Sequence, residues 1–413
     1  MASSQAPIVI AHRGASGDLP EHTLEAYQLA IEQGADFIEP DLVVTNDGVL
    51  VVRHENVLAA YREGKVVEAT TDVSERAEFS DRMVTKSVNG REVTGWFVED
   101  FTLAEIESLY ARERMGDVRP HSRAHDDRYR IPTLGQVIDL VKRHEAETGR
   151  KVGIYPETKS PTYFKFAGTF AAGGKINIDT SELLVEGLVQ AGFVDRDRVF
   201  IQSFEIANLV DLKRRVMPKH GVDLPLVQLL GALSRGVFSK PFDVAYHLDR
   251  GDDTAAIYGA LAATLPIDAD TRFGTLVTPR GLRAIRAGYA SGLGPHKNSV
   301  LARTPSTSKP LRFRLTGSVA SWVPDAIAVG LLVHPYTLRR ETRFLSLDEN
   351  GEPVSLEAET LRLLCAGVHG FFTDHSAAGV AARDRFLEGK SCVIADDRAS
   401  SNNVERREVS HGG

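Results

Sequence analysis

The 413-residue chain is 42% hydrophobic and 25% charged, a balance typical of a folded globular protein and not of a disordered one. Its 56 acidic and 49 basic residues give a net charge of −7, which argues against a nucleic-acid partner bound to a basic face. The longest apolar run, residues 326–333, is far shorter than the roughly 18 residues that a transmembrane helix needs.

Short β-branched runs alternate with helical patterns along most of the chain, which favours a parallel sheet with crossover helices. Residues 8–11 are typical of a buried strand, and Thr23 can cap the helix that follows. Acidic residues alternate along residues 36–44, and the turn at 46–48 predicts an antiparallel hairpin with residues 49–54. Further strands are predicted over residues 152–155, 199–202, 226–230, 326–333 and 370–373, and helices over 181–191 and 205–216.

Eight parallel strands with their helices, plus an insert, would form a TIM (β/α)8 barrel of this length, and an open doubly wound sheet is the alternative. The charged segment of about residues 60–130 has no sustained period before Leu103, which predicts an inserted small lobe after the second strand region. We therefore predict one domain over residues 7–388. The polar tail over 389–413 lacks an apolar period and is predicted to be disordered.

Polar side chains stand where several of the predicted strands end. In chain order they are His12, Arg13, Glu39, Asp41, His54, Glu157 and Lys159. Glu39 and Asp41 lie two positions apart and so share one face of a strand, as do Glu157 and Lys159. Each residue alone could be an ordinary surface or structural residue. Because the carboxyl ends of parallel barrel strands meet at one rim, polar residues at four strand ends together favour a shared site.

These residue types point to phosphodiester chemistry. The carboxylates of Glu39, Asp41 and Glu157 would repel one another unless a cation neutralised them, and oxygen ligands favour Ca²⁺ or Mg²⁺ over zinc. Two histidines can act as general base and general acid near neutral pH. The planar guanidinium of Arg13 suits the oxygens of a phosphate.

The order of these motifs resembles the H-R…E-x-D…H signature of the glycerophosphodiester phosphodiesterase family. The signature is carried here by His12-Arg13-Gly14, Glu39-x-Asp41 and His54. The resemblance covers roughly residues 7–388, and the long insert is similar to that of the periplasmic or secreted bacterial subgroup. It extends through residues 19–25, 71–73, 101–103, 131–134, 153–159, 333–337 and 370–374.

Two positions depart from the family pattern. Glu55 follows the second histidine, where the family usually has Asp, so any role of that position in supporting the site is in doubt. His22 stands where Asn is more common in the family. We interpret His22 as a helix-entry residue, with a role in the site as the alternative.

The resemblance implies a TIM barrel in which Glu39, Asp41 and Glu157 hold one divalent cation, with Ca²⁺ favoured and Mg²⁺ the alternative. It implies that Arg13 binds the substrate phosphate, and that Lys159 contacts that phosphate or a metal ligand. The partner is therefore expected to be a small-molecule glycerophosphodiester.

The family mechanism assigns the two histidines to proton transfer. We expect His12 to be the base that deprotonates the attacking hydroxyl or water, and His54 the acid that protonates the leaving alcohol. These roles would exchange if a cyclic phosphate were then hydrolysed. Phe204, Tyr336 and Phe372 each lie at a predicted strand end, where they would either shape the pocket or fill the barrel core.

The expected reaction is hydrolysis of glycerophosphodiesters to sn-glycerol 3-phosphate and an alcohol. The nearest alternatives keep the site and change the substrate to a lysophospholipid, a sphingomyelin or a teichoic acid. An alternative of another class is a surface binding protein that retains the fold. The resemblance favours a periplasmic or secreted location, although the first seven residues show no signal peptide, which leaves a cytoplasmic location as the alternative.

Overall fold

The computed structural model describes residues 6–234, 236 and 238–389. The predicted disordered tail therefore lies outside the described residues, apart from Gly389. Among the described residues, no helix combines the length and apolar character needed to cross a bilayer.

Eight parallel strands, numbered here as barrel strands one to eight, follow one another around the barrel in chain order. They are Ile8–His12, Phe37–Glu39 continued by Asp41–Val44, Gly153–Ile154 continued by Glu157–Thr158, Ile201–Ser203, Leu226–Leu230, Gly292–Pro295, Leu332–Val333 and Gly370–Thr373. Almost every residue in them is buried, as expected for strands covered on both faces.

Backbone hydrogen bonds close the ring of strands. Strand one pairs with both strand two and strand eight. The amide of Phe372 in strand eight donates to Pro335, just after strand seven, and the amide of Leu338 donates back to Phe372, both at 2.9 Å. The TIM-barrel prediction is confirmed.

Helices cover the outside of the strands, and a small apolar cluster fills the inside. The interior cluster consists of Ile10, Phe37, Tyr155, Val227 and Phe372. The α-helices run over Leu24–Glu32, Leu103–Glu107, Pro120–Arg123, Leu134–Thr148, Thr180–Gln190, Ile206–Asp211, Met217–Lys219, Phe242–Arg250, Thr254–Tyr258, Ala260–Thr264, Phe273–Leu276, Pro279–Gly288, Trp322–Ala328, Leu356–Cys365 and Ser376–Leu387.

Local sequence signals explain several of these boundaries. Thr23 accepts a hydrogen bond from the amide of Ala26, which is the predicted cap of the first helix. The helix predicted over 181–191 is observed at Thr180–Gln190. The helix predicted over 205–216 begins as α-helix at Ile206–Asp211 and continues as a π-helical turn.

The predicted insert contains an antiparallel sheet that the sequence pattern does not show. Its strands are ordered Lys65–Ala69, Val57–Arg62, Arg91–Phe97 and Val84–Val88. Many of their residues are exposed on both faces, so the apolar alternation that identifies a half-buried strand is missing.

One predicted strand is wrong. Residues 326–333 are not a single strand, because helix Trp322–Ala328 occupies the first part and only Leu332–Val333 is extended. Gly330 separates the two pieces, with a left-handed φ of 80°. A short apolar run cannot distinguish a buried helix end from a buried strand. Barrel strand six, Gly292–Pro295, and the hairpin of Leu301–Pro305 with Phe313–Val319 were not predicted.

The predicted hairpin after barrel strand two is present and positions a site residue. Asp41–Val44 pairs antiparallel with Leu50–Val52, and the amide of Arg53 donates to the Asp41 carbonyl at 3.0 Å. The strand ends at Val52 instead of at His54, which lies in the bend that follows. The returning chain therefore brings His54 back to the level of Asp41.

Candidate active site

A cavity of about 130 Å³ opens at the carboxyl end of the barrel. Six of the seven residues singled out in the sequence line it: His12, Arg13, Glu39, His54, Glu157 and Lys159. The seventh, Asp41, is 1% exposed and pairs with Arg13 and Lys159. Phe204, Tyr336 and Phe372 line the same cavity. The structure thus brings together every residue of the predicted set.

Three carboxylates form a buried cluster beside this cavity. One oxygen from each of Glu39, Asp41 and Glu157 lies within 4.8 Å of the others. Both oxygens of Glu39 are held in place, one by the Arg13 amide at 2.9 Å and the other by the Gln202 side chain at 3.0 Å. The Glu39 carboxylate is therefore fixed by residues from two other strand ends before any ligand binds.

Burial and mutual repulsion perturb these acids in different directions. Burial raises the pKa of Glu157 to about 8, opposed by Lys159 at 2.9 Å and reinforced by Asp41. Burial and the Asp41 carboxylate also raise the pKa of Glu39. Against the effect of burial, Lys159 and a hydrogen bond from His22 hold the pKa of Asp41 well below its usual range. Without a cation, some of these carboxyls keep a proton near neutral pH.

The donor set fits a hard divalent cation. Asp41 Oδ1 and Gln202 Oε1 are buried and have no hydrogen-bond partner among the described residues, so acceptor atoms remain unused beside the cluster. A ligand set made only of oxygens is the kind that Ca²⁺ and Mg²⁺ prefer. Glu39, Asp41 and Glu157 are the residues that would hold such an ion.

Arg13 is held rigidly over the carboxylate cluster. Its backbone has a left-handed φ of 61°, and Gly14 follows at 86°. A Cβ at Gly14 would lie 2.7 Å from the backbone of Ala26, so this turn requires glycine. The guanidinium pairs with both oxygens of Glu21, at 3.0 and 3.1 Å, and its Nε lies 3.3 Å from Asp41.

His12 is oriented by a carboxylate at its back. Its Nδ1 lies 2.6 Å from Asp374 Oδ1, which leaves Nε2 to face the cavity. The other oxygen of Asp374 accepts hydrogen bonds from Arg119 at 2.5 Å and Arg339 at 2.6 Å. Burial, followed by the positive charge of Arg13, lowers the pKa of His12 to about 4, so the imidazole is neutral in the free protein.

His54 lines the same cavity and is likewise backed by a carboxylate. Its Nδ1 is hydrogen-bonded to Glu55, so Glu in place of the usual Asp still reaches the imidazole. Burial and Arg13 lower the pKa of His54 to about 3. Arg114 lies 3.5 Å from the same oxygen of Glu55.

His22 makes contacts with the site that its interpretation as a helix-entry residue did not include. It is fully buried, with Nε2 2.8 Å from Asp41 Oδ2 and Nδ1 2.8 Å from the hydroxyl of Tyr27. That hydroxyl donates to the backbone carbonyl of Glu39 at 3.1 Å. His22 therefore orients one of the three clustered carboxylates. The departure from the family pattern was the only sequence signal for this role.

Asp374, Glu21 and Gln202 are further site residues that were not assigned a role from the sequence. Asp374 and Glu21 lie within segments that carry the family resemblance, but the resemblance did not indicate which cation or histidine each contacts. Gln202 ends the strand predicted over residues 199–202, and the only signal in the sequence was a polar residue in an otherwise apolar run. In the structure its side chain is buried.

Known proteins resemble this chain over most of its length. Residues 12–234 match the model of the glycerophosphoryl diester phosphodiesterase family. A glycerophosphodiester phosphodiesterase of Haemophilus influenzae is 31% identical over 394 residues, which is 92% of this chain and 90% of the relative. One of Arabidopsis thaliana is 30% identical over 376 residues, or 90% of this chain and 84% of the relative.

Solved structures share the fold at lower identity. A Silicibacter pomeroyi protein assigned to the glycerophosphoryl diester phosphodiesterases has a TM-score of 0.57 and 19% identity, covering 94% of this chain and 96% of that chain. An Oleispira antarctica phosphodiesterase in complex with the product sn-glycerol-3-phosphate has a TM-score of 0.50 and 18% identity, covering 92% and 97%.

Proposed function

The chain belongs to the glycerophosphodiester phosphodiesterase family, and from this premise we propose that it hydrolyses glycerophosphodiesters to sn-glycerol 3-phosphate and an alcohol with the help of a divalent cation. The observation that carries the proposal is a cavity that joins an acidic cluster, the cationic side chains of Arg13 and Lys159, and two histidines backed by carboxylates. The acidic cluster suits a metal ion, the cations suit a phosphate, and the histidines suit proton transfer.

Arg13 and Lys159 would bind the phosphate of the substrate. The Arg13 guanidinium is already held by Glu21 and Asp41, so little side-chain entropy is lost when an anion binds. The ammonium group of Lys159 lies 2.9 Å from Glu157 and has further hydrogens that it can donate to a phosphate oxygen. A divalent cation at the acidic cluster, with Ca²⁺ favoured over Mg²⁺, would neutralise charge that develops on the phosphate oxygens.

We assign His12 as the base and His54 as the acid. The hydrogen bond from His12 Nδ1 to Asp374 leaves Nε2 free to accept the proton of the glycerol 2-hydroxyl or of water. His54, which lines the same cavity, would protonate the departing alcohol. The roles exchange if a cyclic phosphate forms and is then opened by water.

His54 must gain a proton before it can act as an acid. Arg13 contributes to its lowered pKa, and the negative charge of a bound phosphodiester would cancel part of that field. Glu55, hydrogen-bonded to Nδ1, stabilises the imidazolium once it forms. We propose that substrate binding itself raises the pKa of His54 into the working range.

A second, larger cavity supplies space for the leaving alcohol. It encloses about 970 Å³ between the insert and the 238–245 segment, and it shares His54, Lys159 and Tyr336 with the first cavity. Its aromatic lining includes Phe97, Phe204, Phe238, Phe242 and Phe273. This lining favours a lysophospholipid as the second candidate substrate, because an acyl chain would fill such a cavity better than choline.

The proposal is tested by incubating the purified protein with glycerophosphocholine, glycerophosphoethanolamine and lysophosphatidylcholine. Release of sn-glycerol 3-phosphate from the first two substrates, measured with a coupled dehydrogenase assay, would support the proposed function. Release of choline from the lysolipid alone would favour the second candidate. A protein that hydrolyses none of the three would instead fit a binding protein that retains the fold.

A further inference from the structure

We propose that Arg114 and Arg119 are positioning residues, each of which holds the carboxylate that orients one of the two candidate catalytic histidines. This inference rests on the proposed function, because it assigns a role in the same reaction. Both arginines belong to the predicted insert, and neither lines the cavity of about 130 Å³.

Arg114 acts on the side of His54. Its Nη1 lies 3.5 Å from Glu55 Oε1, the oxygen that is hydrogen-bonded to His54. Its Nη2 lies 3.3 Å from Glu21 Oε2, and Glu21 in turn holds Arg13. One guanidinium therefore joins the carboxylate behind a histidine to the carboxylate behind the phosphate-binding arginine.

Arg119 acts on the side of His12. Its side chain is 1% exposed, and its Nη2 lies 2.5 Å from Asp374 Oδ2. The opposite oxygen of Asp374 is the one that contacts His12, at 2.6 Å. Arg119 also donates to the carbonyl of Ser16 at 2.7 Å and to the carboxylate of Glu341, so its position is fixed on three sides.

The segment that carries both arginines is itself rigid. The carboxylate of Glu113 accepts hydrogen bonds from the amide of Met115 at 2.8 Å and from the hydroxyl of Ser122 at 2.6 Å. Helix Pro120–Arg123 begins directly after Arg119. The two arginines can therefore transmit a fixed geometry to the carboxylates, which fix the Nδ1–H tautomer of each histidine.

The alternative is that these ion pairs only stabilise the fold. A structural role would lower the melting temperature and affect all substrates alike. For Arg114, on the side of the acid, a positioning role would affect most the substrate whose leaving group needs a proton. For Arg119, on the side of the base, it would lower the kcat of the folded protein on every substrate. Removal of an outer partner that orients a metal-binding side chain typically costs about 10- to 100-fold in activity, and we expect losses of this order here.

The test compares Arg114→Ala, Arg119→Ala and Arg119→Lys with the wild-type protein on two diesters of sn-glycerol 3-phosphate. The choline diester needs an acid for its leaving group, whereas the p-nitrophenol diester does not. Arg112→Ala is the matched control, because Arg112 lies in the same segment and also bridges two carboxylates, Glu75 and Asp127, away from the cavity. Each kcat is divided by the folded fraction at the assay temperature.

We expect Arg114→Ala to lower kcat about 10- to 100-fold on the choline diester and clearly less on the p-nitrophenol diester. Arg119→Ala should lower kcat on both diesters by similar factors, because His12 serves the attacking group in both cases. Added guanidinium ion, far below denaturing concentrations, should restore part of the lost kcat in both alanine variants. Arg119→Lys should retain more activity than Arg119→Ala, and Arg112→Ala should match the wild type.

The inference is overturned if Arg114→Ala and Arg119→Lys keep the wild-type kcat, or if Arg112→Ala loses as much as they do. It is also overturned if Arg114→Ala slows both diesters equally and guanidinium ion restores neither variant. A wild-type protein that hydrolyses neither diester would contradict the proposed function instead. Arg119→Lys keeps the His12 side testable if Arg119→Ala does not fold.

Discussion

Asp374→Asn should inactivate the protein through a change in the tautomer of His12. Asp374 Oδ1 faces His12 Nδ1, while Oδ2 accepts hydrogen bonds from both Arg119 and Arg339. Arginine has donors only, so the amide oxygen of an asparagine at this position must face the two guanidinium groups. Its NH₂ group then faces His12, which must accept at Nδ1 and carry its proton on Nε2.

The size of the effect follows from the role of Nε2. A histidine whose proton sits on the cavity side cannot accept the proton of the attacking hydroxyl. The same change of tautomer in a serine protease lowers kcat about 10⁴-fold, so we expect a loss of about 10³- to 10⁴-fold, or roughly 4 to 5.5 kcal/mol in the activation barrier. The two arginines keep their contacts with the amide oxygen, so the folded protein should still be recoverable.

The assay is the release of sn-glycerol 3-phosphate from glycerophosphocholine by Asp374→Asn and by a control, Asp36→Asn. Asp36 also accepts from a backbone amide and an arginine, Val9 at 2.8 Å and Arg383 at 2.7 Å, but it precedes barrel strand two at the opposite end of the barrel. The control should stay within about twofold of the wild type. A kcat for Asp374→Asn within tenfold of the wild type would refute the reasoning.

Three further predictions concern the acidic cluster, the proton-transfer roles of His54 and His12, and Glu205, a buried carboxyl outside the cluster. Glu39→Gln and Asp41→Asn each replace one carboxyl group of the cluster by an amide of similar volume, so calorimetry should show weaker binding of Ca²⁺ to a protein that remains folded. Unchanged affinity would mean that the pair does not hold the ion. His54→Ala should slow hydrolysis of the choline diester by about 10²- to 10⁴-fold and slow that of the p-nitrophenol diester less. His12→Ala should slow hydrolysis of both diesters equally. The reverse pattern would exchange the roles of the two histidines. Burial and a neighbouring carboxylate raise the pKa of Glu205 from 4.5 to about 8. Between these two pH values the folded chain keeps a proton that the unfolded chain has lost. The stability that Glu205 contributes is therefore fully present below pH 4.5 and is lost as the pH rises towards 8. Glu205→Gln should therefore gain unfolding free energy relative to the wild type between pH 5 and 8, by up to a few kcal/mol, in denaturant titrations with chelator present; a difference that does not change with pH would contradict this.

The barrel could be predicted where its strands are short, mainly apolar runs. Residues 226–230 and 370–373 are strands with the predicted bounds, because they are buried on both faces and have no helical period. Gly292–Pro295 offers only one large apolar residue, so its identity as a strand depends on pairing with its neighbours. The insert strand Lys65–Ala69 is almost entirely exposed, so its sequence has no apolar face to show.

In the candidate site, too, some residues could be predicted from the sequence and others could not. Residues at strand ends could be predicted because alternation along a strand and the common rim of a barrel determine where they meet. Their partners could not, because His12 and Asp374 are 362 residues apart and Arg119 and Asp374 are 255 apart. His22 was interpreted by its place before a helix, while its contacts with Asp41 depend on how that turn folds over the barrel.

The most direct test of the central proposal is the rate of glycerophosphocholine hydrolysis before and after divalent cations are removed by a chelator. Glu39, Asp41 and Glu157 are buried together, and a bound cation would stabilise their joint ionisation. We expect turnover to stop and the melting temperature to fall in excess chelator, and Ca²⁺ or Mg²⁺ to restore both. Full turnover in excess chelator would contradict the proposed cation site.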